Sequence, residues 1–161
     1  MTDFTIRPIG AEDDPAVRRI IEKVMTEFGC TGEGYAIHDA EVRHMHESYS
    51  GERTRYWVVV KDGAVVGGGG IAPLKGGDGK TCELRKMYFL EEARGIGAGR
   101  RLMEEALAFA KAAGYTKCYL ETVAQMSDAR KLYEKTGFSR EGRPMGDTGH
   151  FTCDTWYSMP L

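Results

Sequence analysis

The sequence predicts an α/β fold of the α+β kind: a mixed, mostly antiparallel central sheet of about seven strands flanked by about four helices. Three observations predict it. The apolar runs RYWVVVK (55–61) and AVVGGGGIA (64–72) are separated only by Asp62-Gly63, a strong short-range signal for a tight antiparallel hairpin. Apolar residues recur at helical spacing before and after this hairpin. The helical stretch after it lies between the strand-like runs TCELRKMYFL (81–90) and CYLETV (118–123), which makes a βαβ unit and a parallel pair.

Each element has its own signals. FTIRPI (4–9) alternates as a strand. Asp14 can cap the helix that follows, and Pro15 suits its first position. Val17, Ile20, Ile21, Val24, Met25 and Phe28 form the apolar face of that helix, and Gly29 ends it. Residues 30–50 are polar and less regular, with a short helix expected around Asp39 to Tyr49. After the hairpin, LKGGDGKT (74–81) is a flexible turn leading into the strand at 81–90. The helix from about Ala98 to Ala113 buries Leu102, Met103, Ala106, Leu107 and Ala110 and breaks at Gly114. Ser127 can cap another helix, with Ala129, Leu132 and Tyr133 inward and Gly137 at its end. FSREG (138–142) and CDTWYSMPL (153–161) supply the last two strands. No internal repeat or linker interrupts the order β-α-α-β-β-β-α-β-α-β-β, so residues 1–161 read as a single domain.

Composition excludes several classes of function. A hydrophobic fraction of 42%, a charged fraction of 29% and a net charge of −2 describe a soluble globular protein and give no support for a nucleic-acid partner. No apolar run approaches the roughly 18 residues of a membrane helix. MTDFTIRPIG lacks the basic and apolar pattern of a secretory signal, so a cytoplasmic location is expected. Cys30, Cys82, Cys118 and Cys153 contain no CxxC pair and read as reduced thiols. His44 and His46 would point apart on a helix, so no metal site is expected.

The most informative stretch is Arg94-Gly95-Ile96-Gly97-Ala98-Gly99-Arg100-Arg101, at the junction of a strand and a helix. Glycines let backbone N–H groups approach a ligand closely, and the flanking arginines suggest that the ligand is an anion. The dinucleotide pattern GxGxxG fails by one residue, because position six from Gly95 is Arg100 and from Gly97 is Leu102. A P-loop reading of 74–81 fails because its first glycine would be Leu74 and a strand follows.

Arg94-x-x-Gly97-x-Gly99 between strand and helix resembles motif A of the GNAT superfamily of acetyl-CoA-dependent N-acetyltransferases. ELRKMYFLEEARGIGAG (83–99) looks like that family's fourth strand running into motif A, and SDARKLYEKTGF (127–138) resembles its motif B. The element order matches over essentially the whole chain. The resemblance implies acetyl-CoA as co-substrate, its pyrophosphate held by the N–H groups of the loop and helix N-terminus, with Gly95, Ile96, Gly97, Ala98 and Gly99 beside it. Arg94, Arg100 or Arg101 would add charge-assisted contacts. The main chain at Met87, Tyr88 and Phe89 would meet the pantetheine arm, with the Met87 or Phe89 N–H as oxyanion donor. Ser127 stands where family members often carry an asparagine against that arm.

The resemblance also implies roles in catalysis. Glu83 is the candidate general base, and strand alternation places it on one face with Arg85 and Met87, opposite Leu84 and Lys86. The alternative is a simple pair with a neighbouring arginine. Tyr133 is the candidate general acid for the departing sulfur, or else a core tyrosine. The family's acceptor cleft corresponds to Phe28–Tyr49 and Arg143–Asp154, where Tyr35, His38 and His150 are candidate substrate contacts. Its mixed charge, including Glu33, Asp39, Glu41, Arg143, Asp147 and Asp154, suits a small zwitterionic or cationic amine. Alternatives are a protein lysine or N-terminal acceptor, and a sensor that binds acetyl-CoA without turnover. Gly67–Gly70 either open room for substrate or mark close packing or a bulge. A homodimer is compatible with the resemblance.

Overall fold

A computed structural model describes residues 3–161. Its sheet has seven strands: β1 (Thr5–Pro8), β2 (Arg55–Lys61), β3 (Ala64–Pro73), β4 (Thr81–Phe89), β5 (Lys117–Thr122), β6 (Ser139–Glu141) and β7 (Thr155–Pro160). They lie in the order β1-β2-β3-β4-β5-β7-β6, and every neighbouring pair is antiparallel except β4–β5. Four α-helices flank the sheet: α1 (Asp14–Glu27), α2 (Met45–Ser48), α3 (Ala98–Ala112) and α4 (Ser127–Thr136).

Each sheet face has its own core. Leu102, Met103 and Ala106 of α3 and Tyr133 of α4 pack with Trp57, Leu84, Leu120 and Tyr157. Val17, Ile21 and Met25 of α1 and Met45 of α2 pack with Tyr56 and Val58 on the other. Alternate residues of β2 thus serve opposite layers, as strand geometry requires. The β2–β3 hairpin turns at Asp62 and Gly63, both at positive φ (51° and 78°), the geometry of a tight turn matched to strand twist.

Three local expectations are corrected. Asp14 is already helical, and its carboxylate accepts the His46 N–H at 2.9 Å. Asp13 takes the boundary position and receives a two-pronged hydrogen bond from Arg7. Ser127 is the first residue of α4 and makes no capping bond; Met126 precedes it. The expected helix around Asp39–Tyr49 is two 3₁₀ turns, Ala36–His38 and Ala40–Arg43, followed by the single turn α2.

Two irregularities position the site. Gly68 faces Tyr88 and Gly70 faces Arg85, so β4 carries one residue more than β3 between these pairs. The bulge falls at Lys86, whose φ of 50° is left-handed for a residue with a Cβ. It reverses the alternation, leaving Glu83, Arg85 and Lys86 to one face and Leu84 and Met87 to the other. Met87 is therefore opposite Glu83 and not beside it. The glycines of β3 accommodate close packing: a Cβ at Gly70 would lie 2.6 Å from the Tyr56 ring, and one at Gly67 would strike Phe89. They do not open room for a substrate.

The second irregularity lies between β4 and β5, which pair only at Thr81–Lys117, Cys82–Cys118 and Glu83–Tyr119. Beyond Glu83 the strands part, and β4 has no strand beside it on that side.

Candidate active site

Where β4 leaves β5, two cavities meet at Met87, Tyr88 and Met126. The larger, about 500 Å³, is within the range of small-molecule sites and runs along the open edge of β4. Met87, Tyr88 and Phe89 form one wall, and Arg94, Gly95, Gly97, Ala98, Gly99 and Arg100 form the end where α3 begins. Ser127 and Asp128 of α4 close the other side. Of the loop residues expected at a cofactor, Ile96 turns away and packs against the core.

The glycine loop reaches this cleft for reasons of backbone geometry. Gly97, at φ 87°, is the residue from which α3 starts, and a side chain there would be strained. Gly99 lets α4 close in, since a Cβ would lie 3.0 Å from Leu132. The first turn of α3 contains no acidic residue, so its free N–H groups and dipole present positive potential to the cleft.

The arginines divide. Arg94 lines the cleft, but its guanidinium is held by Glu27 at 2.8 and 3.0 Å and donates through Nε to the Phe89 carbonyl at 3.0 Å. Arg100 is exposed on the rim, and Arg101 lies over the Phe4 ring, outside the lining. Lys131 and Lys135 of α4 also line the cleft and were missed by sequence reasoning. Their four-residue spacing on one helix face was the available signal.

The smaller cavity, about 50 Å³, brings Glu83, Tyr133, Tyr35 and His150 together. Glu83 is 3% exposed and accepts a hydrogen bond from Arg85 Nε at 2.8 Å. Burial raises its pKa above the usual carboxylate range, against the pull of Arg85. Tyr133 packs edge-on against Phe138 and tilted against Tyr157. Burial raises its phenol pKa, so it keeps its proton at neutral pH. Among the described residues its hydroxyl forms no hydrogen bond.

His150 closes the opposite wall. Its Nε2–H donates to Asp39 Oδ2 at 2.8 Å and its Nδ1–H to Glu121 Oε1 at 3.2 Å. Burial opposes its charge, yet these two carboxylates push its pKa up to about 9. The same bonds hold Asp39 and Glu121 below the usual carboxylate range despite burial. Lys86, placed by the bulge, pairs with Asp39 at 2.7 Å and Glu41 at 3.0 Å. Glu83, Glu121 and His150 present ligand atoms within 4.8 Å of one another, tied into a hydrogen-bonded charge cluster. His38 stands apart: it is exposed and donates to the Thr31 carbonyl at 2.6 Å.

Sequence reasoning missed Glu121. Its signal was a lone acid in the apolar strand CYLETV, on the same face as Tyr119, whose hydroxyl donates to it at 2.7 Å. Cys153 lines the cavity as well, its thiol pKa pushed up to about 12 by burial.

Comparison with known proteins agrees with this geometry. A family model described as the acetyltransferase (GNAT) family matches residues 17–138. The chain is 42% identical to the uncharacterized N-acetyltransferase YjgM of Escherichia coli, over 92% of this chain and 90% of that one. It is 34% identical to an IAA acetyltransferase of Azospirillum brasilense, over 91% of each. Among solved structures, a GNAT-family acetyltransferase from Staphylococcus aureus superposes with a TM-score of 0.86 at 17% identity, over 99% of both chains. The Salmonella typhimurium protein yncA, solved with its cofactor acetyl-CoA, superposes at 0.75 with 19% identity, over 99% of this chain and 95% of that one.

Proposed function

The chain belongs to the acetyltransferase (GNAT) family, and we propose that it transfers the acetyl group of acetyl-CoA to the primary amine of a small molecule. The reading rests on one observation above the rest. The polar cavity holding Glu83 and Tyr133 opens onto the 500 Å³ cleft at the point where β4 loses its neighbour. The co-substrate lies along that cleft, its pyrophosphate at the start of α3 and its pantetheine arm against β4 and Ser127. Arg100, Lys131 and Lys135 supply positive charge at the rim.

In the reaction the amine nitrogen bonds to the thioester carbon and the carbon–sulfur bond breaks. A main-chain N–H of β4, at Met87 or Phe89, donates to the carbonyl oxygen as it gains charge. Glu83 takes the proton that the nitrogen loses, a task its raised pKa favours, and Tyr133 protonates the sulfur as it leaves. Tyr35 and His150 flank the amine. His38, outside the cavity, has no part in this reading.

The thermal midpoint with acetyl-CoA, against NADH and ATP as controls, tests it first. At about a hundred times Kd the ligand adds roughly 2.7 kcal/mol, a rise of roughly 5–10 °C for a domain of this size. Release of CoA thiol on adding an amine panel then separates an enzyme from a sensor. A rise with NADH or ATP alone would overturn the reading.

A further inference from the structure

We infer that the acceptor is a primary amine whose amine-bearing carbon carries no carboxylate, an alkyl- or arylalkylamine and not an α-amino acid. This rests on the reading of the polar cavity as the acceptor site and narrows it.

An α-amino acid needs a cation in the cavity to receive its carboxylate. The three cations on the cavity wall are already engaged by carboxylates of the protein: Arg85 by Glu83 at 2.8 Å, Lys86 by Asp39 and Glu41 at 2.7 and 3.0 Å, and His150 by Asp39 and Glu121 at 2.8 and 3.2 Å. The Lys86 side chain is 2% exposed, so its ammonium could meet a ligand carboxylate only by giving up Asp39 or Glu41. Even with His150 protonated, the cluster holds four carboxylates, Asp39, Glu41, Glu83 and Glu121, against three cations. The second oxygen of Glu83 receives no hydrogen bond among the described residues.

The surplus therefore falls where an incoming ammonium is attracted and a carboxylate is repelled. An α-carboxylate sits two bonds from its nitrogen, so it cannot reach past Glu83 and Glu121 to solvent while the nitrogen addresses Glu83. Apart from Thr122, Cys30 and Cys153 the remaining wall is apolar or aromatic, with Met25, Tyr35, Tyr88 and Met126, and suits an uncharged stem.

Matched pairs differing only in that carboxylate test the inference, each member serving as control for the other. CoA thiol release is measured for phenethylamine against phenylalanine and for tyramine against tyrosine. The carboxylate-free member of each pair is expected to show a kcat/KM higher by about tenfold or more. Equal or reversed ratios in the two aromatic pairs overturn the inference while leaving the acetyltransferase reading intact. So does turnover of neither carboxylate-free amine by protein that acetyl-CoA still stabilises. Loss of acetyl-CoA stabilisation itself would sink the underlying reading instead.

Discussion

At the scale of single residues, Tyr133 and Glu83 answer to different measurements. Tyr133 sits among Phe138 and Tyr157, so Tyr133→Phe keeps the ring packing and removes only the proton donor. Its kcat is expected to fall by about 100-fold or more with KM for acetyl-CoA nearly unchanged. An unchanged kcat would make Tyr133 a core residue only. Glu83→Gln should lower kcat and also remove the acidic limb of the pH–rate profile. With Glu83 present, activity rises with pH as its carboxyl, raised by burial, ionises, and then levels off. His150 and Glu121 show what a single residue cannot reveal in sequence. Each is ordinary in its own segment, and their meaning comes from a contact made across 29 positions of chain. Asp39 is 111 positions from the histidine it holds.

At the scale of elements, legibility followed the range of the signal. The Asp62-Gly63 hairpin, the helical faces and the glycine loop are written in neighbouring residues, and the structure places them within a few positions of expectation. The bulge in β4 is not. Nothing in RKMYF marks Lys86 for a positive φ, because the cause is tertiary: Lys86 reaches Asp39 and Glu41, and Tyr56 Oη donates to its carbonyl at 2.8 Å. The strict alternation drawn from sequence therefore failed at that position. The Gly67–Gly70 run is the partner of this geometry, flat enough to admit Tyr56 and Phe89. Gly70→Ala would push a methyl against the Tyr56 ring and the Arg55 carbonyl. A loss of about 1–3 kcal/mol is expected, read as a fall of roughly 2–12 °C in the thermal midpoint. A midpoint within a degree of wild type would show that the ring has room to move.

At the scale of the whole molecule, His150 ties the segment after β6 to β5 and to the turns before α2. Because its folded pKa is raised to about 9, the stability it contributes is fully present below the unfolded value of 6.5 and is lost as pH rises through 9. The size is on the order of 3 kcal/mol, counted once for the group and its two carboxylate partners together. Denaturation midpoints measured from pH 6 to 10 should therefore fall across this window, and His150→Gln should flatten the fall. A wild-type curve that is already flat would mean that folding leaves the proton affinity of the imidazole unchanged. The parting of β4 from β5 has a consequence for ligand capture. Only three residue pairs join β4 to β5 within the sheet, so the rest of that edge of β4 keeps its backbone groups unpaired with a strand. In hydrogen–deuterium exchange, the β4 amides turned toward the gap should exchange quickly in the free protein and slow down once acetyl-CoA fills the place of the missing strand. On the proposed reading the pantetheine arm is recognised chiefly by the unpaired backbone of β4, so side-chain substitution along β4 should leave acetyl-CoA binding largely untouched.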